Sequence, residues 1–123
     1  MYTGNWSVEY MEINIRKNDD DIFLVELSGI MDLNSSGQLK DLVIKLIEKK
    51  VERLIINLKE VVNVNSSGIG ALIYISSTLK KLNCPLIIVV PDGPVLQALE
   101  ITRLKSYFTI ARSLKEAMAL AKL

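Results

Sequence analysis

Short continuous apolar runs alternate with amphipathic stretches over most of this chain, and that alternation most constrains its fold. RLIINL (53–58) and PLIIVV (85–90) place apolar side chains at consecutive positions, as strands covered on both faces do. IFLVELSG (22–29) reads as a strand closed by Gly29, and MEINIRK precedes it as another. Residues 39–51 carry Leu39, Leu42, Val43, Leu46 and Ile47 at i, i+3, i+4, i+7 and i+8. That is the stripe of an amphipathic helix, with Lys40, Asp41, Lys45, Glu48 and Lys49 on the other face. Asn34, Ser35 and Ser36 are its candidate caps.

A second helix shows Ile69, Leu72, Ile73, Ser76 and Leu79 on one side. Pro94 marks the first turn of a third, short helix. SYFTIA (106–111) reads as a last strand, and Ser113 to Glu116 form a capping-box pattern ahead of Leu114, Ala117, Met118 and Ala121. The order β, β, α, β, α, β, α, β, α implies an α/β layer fold. It is a single domain with a mainly parallel sheet of about five strands and about four helices packed on it. The domain is expected over residues 11–123, with 1–10 as an N-terminal extension; Met11 is a candidate alternative start. Trp6 and Tyr10 either pack on the sheet edge or lie free.

Composition then removes function classes. The chain has no histidine, which excludes Ser-His-Asp and Cys-His nucleophile pairs and His-ligated metal sites. Its single cysteine, Cys84, has no internal disulfide partner and reads as a small buried hydrophobe ahead of Pro85. The net charge of +1 lacks the basic excess of a nucleic-acid binder. No apolar run approaches the ~20 residues that span a bilayer, and no signal peptide is expected at the N-terminus.

The stretch NVNSSGIGALIYI (63–75) is the most informative. Asn65, Ser66 and Ser67 stand where a strand passes into a helix, and as such they read as a helix N-cap. If Asn65 is the cap, Ser66 is the first helical residue and its hydroxyl is free. Gly68 and Gly70 follow inside the helix, at a cost of about 1 kcal/mol each relative to Ala. Either close helix–sheet packing or clearance for another protein's active site would offset that cost. No G-x-G-x-x-G or Walker pattern is present, although an anion could sit at this helix start. Functional loops of parallel sheets lie at the carboxyl ends of strands, so this loop and GIMDLNSS (29–36) are expected to be neighbours. Asp32, in the second loop, reads as a turn or cap residue.

LSGIMD (27–32), an amphipathic helix, and LIINLKEVVNVNSSGIGALI (54–73) together resemble the anti-sigma factor antagonist family, the bacterial STAS domain. The resemblance covers roughly residue 11 to the end. It implies a cytoplasmic binding protein, without enzymatic activity or cofactor, that engages an anti-sigma factor with serine-kinase activity and frees the sigma factor. It further implies that the kinase phosphorylates Ser66 and weakens the complex, and that a phosphatase resets it. Asp32, Asn65, Ser67, Gly68 and Gly70 would contribute to the partner surface. Membrane insertion and nucleic-acid binding are not implied. Asn65 and Asn57 stand where the family usually or often has Asp, and both changes remove negative charge. The alternative from another class is a non-phosphorylated scaffold subunit of a sensory or lipid-transport assembly. A small-ligand or nucleotide binder of flavodoxin-like shape is a weaker third reading, because no phosphate-cradling motif is present.

Overall fold

The computed structural model describes residues 3–8 and 11–123, with side chains from Glu12 onward. Six strands form one sheet: β1 (Thr3–Val8), β2 (Met11–Lys17), β3 (Ile22–Met31), β4 (Arg53–Val64), β5 (Leu86–Val89) and β6 (Ile110–Ala111). Their order in the sheet is their order in the chain. β1, β2 and β3 pair antiparallel, and β3 to β6 pair parallel. Four helices connect or follow them: α1 (Leu33–Glu48), α2 (Ser66–Lys81), α3 (Pro94–Ile101) and α4 (Leu114–Ala121).

A run of parallel strands that advances in one direction, joined by right-handed crossovers, puts every crossover helix on the same face. So α1, α2 and α3 share one face, and α4, which follows the last strand, covers the other. The core divides accordingly. Phe23, Val25, Leu27, Leu54, Ile56, Leu58 and Ile88 alternate onto the three-helix side. Ile22, Leu24, Ile55, Ile87 and Val89 face α4 with Ala111, Ala117 and Ala121. An eight-residue helix is too short to roof six strands. Beyond its reach the second face turns polar: Glu12, Asn14 and Arg16 are exposed on β2. There Arg16 meets Glu26 at 3.3 Å, and the buried Asn57 amide donates to Glu26 at 3.3 Å.

Several boundaries differ from the sequence expectation. Residues 3–8 of the expected N-terminal extension form β1, which adds a sixth strand to the sheet. Tyr10 and the side chain of Trp6 lie outside the described residues. Gly29 does not close β3. It sits inside the strand with φ 101, at a register shift that bends the last residues, a backbone that glycine adopts without strain. β4 runs six residues past Leu58, because Val61, Val62 and Val64 continue a β-branched run. The cap of α1 is Asp32, ahead of Asn34, Ser35 and Ser36, so the helix starts six residues before Leu39. SYFTIA is not one strand: Lys105–Tyr107 form a 3-10 turn, and only Ile110–Ala111 pair with β5. Phe108 is buried and Tyr107 half-buried, whereas Tyr74 is exposed. The Ser113 hydroxyl accepts from Glu116 N–H at 3.1 Å, but the Glu116 carboxylate takes the Arg112 N–H, so the box is closed one residue early.

Candidate functional site

Two helix starts stand side by side at the carboxyl ends of β3 and β4. Met31 pairs with Val64 in the parallel register, and the next residue of each chain is a cap, Asp32 for α1 and Asn65 for α2. Neighbouring strands lie about 4.8 Å apart, so the expected adjacency of the two loops holds. Asn65 N–H donates to the Met31 carbonyl at 3.2 Å, which ties the second cap to the first strand.

Each cap satisfies a free amide of its helix. The Asn65 side chain accepts from Gly68 N–H at 3.1 Å. Asp32 accepts from Ser35 N–H at 3.0 Å, and its own N–H donates to the Ser35 hydroxyl at 2.8 Å, a reciprocal box. The Ser35 backbone bond is the main reason that the Asp32 carboxyl titrates below the ordinary carboxylate range. A depressed folded-state pKa contributes stability that is present above the unfolded value, near 4, and is lost as pH falls through the folded value. We therefore expect Asp32→Ala to lower the melting temperature by a few degrees at pH 7. Asp32→Asn should keep the cap and lose only the acid-limb pH dependence, measured by thermal melts from pH 7 to pH 2.

With Asn65 as cap, Ser66 is the first residue of α2, and it is exposed. No hydrogen bond engages its hydroxyl among the described residues. Ser67 is half-buried. The two glycines behind them differ. A Cβ on Gly68 would come within 2.5 Å of Val64 Cγ2 and 2.9 Å of Met31 Cβ, so α2 rests directly on the strand ends there. A Cβ on Gly70 would meet nothing within 4 Å. Ser66, Gly70 and Tyr74 repeat at i, i+4 and i+8 and are all exposed, so they share one face of α2. Lys40 of α1 holds its ammonium 5.1 Å from the Tyr74 ring, which joins the two helices into one surface. Exposed apolar side chains flank the site: Leu33 directly after Asp32, and Val62 three residues before Asn65, with 73% and 63% of their surface free.

Asn57 does not belong here. It lies seven residues before Val64 on β4, roughly 20 Å along the strand. Its carbonyl oxygen accepts from Lys59 N–H at 2.9 Å and its amide binds Glu26. Its lack of charge therefore bears on the polar face of the sheet, and only Asn65 alters the surroundings of Ser66.

The family model for the STAS domain matches residues 12–117. The chain belongs to the STAS domain family. No curated protein matches the sequence. Among solved structures, an anti-sigma factor antagonist from Mycobacterium paratuberculosis superposes with a TM-score of 0.85 at 18% identity, over 95% of this chain and 98% of the other. The anti-sigma factor antagonist SpoIIAA in its unphosphorylated form gives 0.75 at 18% identity, over 89% and 96%. A variant of RsbS from Moorella thermoacetica gives 0.74 at 22% identity, over 89% and 94%. At these identities the likeness is one of fold. Among the described residues of this STAS domain, no helix is long and apolar enough to cross a membrane.

Proposed function

We propose that this STAS domain is a cytoplasmic anti-sigma factor antagonist. It binds an anti-sigma factor that is also a serine kinase, releases the sigma factor, and is switched off by phosphorylation of Ser66. A phosphatase restores it. The domain itself catalyses nothing. The observation that carries this reading is the free hydroxyl of Ser66 on the first residue of α2, exposed and without a partner. Gly70 leaves open space one turn further along. Phosphate at that position would meet unpaired amides and the positive end of the helix dipole, so the domain can carry it without rearranging. Asp32, Asn65, Ser67 and the exposed Leu33 and Val62 supply the surrounding contact surface; Gly68 supports it from beneath. The likeness in fold to an anti-sigma factor antagonist from Mycobacterium paratuberculosis supports the same role.

The test is a kinase reaction with the cognate anti-sigma factor and ATP, read by mass spectrometry. Wild type and Ser67→Ala should carry one phosphate, and Ser66→Ala none. Label retained on Ser66→Ala would sink the assignment. One observation favours a second reading. Asn65 supplies a neutral cap where an acidic one would complement a kinase, which suits a scaffold subunit that binds without being modified. Protein from its own cells, free of phosphate at Ser66 under all growth conditions, would support that scaffold.

A further inference from the structure

At the end of α2 remote from Ser66, the last turns of the helix, the start of β5 and the 3-10 turn enclose a cavity of about 310 Å³. That volume is at the small end of the range for ligand pockets. Ser76, Cys84 and Phe108 line its depth, only 5%, 6% and 8% exposed. The neighbouring Ser77 hydroxyl is tied to the Tyr107 hydroxyl at 2.6 Å. The Ser76 hydroxyl has no such bond among the described residues. Its oxygen is not sealed in the protein interior, and because Ser76 lines the cavity it is open to a molecule that enters there.

Lys80 is the one charged residue among those that line the cavity. Its ammonium lies 4.7 Å from the Tyr107 ring centroid and makes no ion pair among the described residues. Ser76 and Lys80 are four residues apart on α2, so a hydroxyl donor and a cation sit on one helix face. Burial first, and the charge of Glu52 second, push the Cys84 thiol up to about 11. The thiol is therefore neutral at pH 7 and a poor nucleophile. Glu52 does not line the cavity, but its charge disfavours an anion at the Cys84 end. Leu86 and Phe108 give the wall an apolar patch, beside the polar Ser106, Tyr107 and Thr109.

We propose that this cavity binds a small carboxylate with an apolar body. The carboxylate accepts from the Ser76 hydroxyl and the Lys80 ammonium, and the apolar body lies against Phe108 and Leu86. The site is separate from Ser66, so it stands or falls apart from the regulatory reading.

Benzoate is a suitable probe, with benzylamine as a match of similar size and opposite charge. In a nitrogen-15 NMR titration of the intact chain, benzoate should shift the amides of Ser76, Cys84, Leu86 and Thr109 saturably in the millimolar range. Benzylamine should not. Lys80→Gln, a change at an exposed position, should weaken benzoate about fivefold. Ser76→Ala should weaken it by about the same factor. Absence of saturable shifts with benzoate would overturn the proposal. So would equal binding of benzylamine, or wild-type affinity in both variants.

Discussion

Ser66→Asp should cost at least about 100-fold in affinity for the cognate anti-sigma factor while the free domain melts within a few degrees of wild type. The loss needs only about 2.8 kcal/mol. One desolvated charge facing a surface shaped for a neutral hydroxyl supplies that. The unchanged melting temperature follows from position. Ser66 is the first residue of α2, exposed, and no bond within the domain depends on its hydroxyl. A carboxylate at a helix start is favoured by about 0.3–1 kcal/mol. Calorimetry and a pull-down on one preparation separate the outcomes. Unfolding together with lost binding would make the switch a stability effect. Binding unchanged by the substitution would point to the scaffold.

Gly68→Ala and Gly70→Ala should move stability in opposite directions. At Gly68 the new methyl would fall 2.5 Å from Val64 Cγ2, 2.9 Å from Met31 Cβ and 3.2 Å from the Met31 carbonyl oxygen. Val64 is β-branched and stiff, and the Met31 atoms belong to the strand itself, so α2 must lift off β3 and β4. Overpacking of this kind costs about 1–3 kcal/mol, more than the ~1 kcal/mol that Ala returns in helix propensity. We expect a net loss of up to about 2 kcal/mol. Gly70→Ala meets nothing and should gain up to ~1 kcal/mol, while weakening the partner whose approach the open space allows. Urea denaturation of both variants decides it. A stabilised Gly68→Ala would show that α2 does not rest on the strand ends.

What could be read from the sequence was what repeats. The 3.6-residue stripe of α1, the buried runs of β4 and β5, and the Asn65 cap are local patterns, and each yields its element. Whatever depends on a distant partner was hidden. TGNWSV lacks strand-like alternation, and it is a strand because β2 pairs with its backbone. Gly29 marks a bulge, which shows only against β4. Gly68 and Gly70 look equivalent in sequence and differ because Met31, 37 residues earlier, lies under one of them. Asn57 seemed close to Ser66 along the chain, but the extra length of β4 carries it to the other end of the strand. Ser76 was read as part of an apolar stripe; the cavity beside it is made by residues 84–86 and 106–109, which no helical period reports.

The strand order has a consequence for synthesis. Each strand pairs with the one that leaves the ribosome just before it, so the sheet can grow in the order in which it is made. Asp32 and Asn65 come together when β4 docks on β3, and β5, α3, β6 and α4 all follow them in the chain. A nascent chain of this protein can therefore assemble the serine-bearing corner before the far edge of its sheet exists.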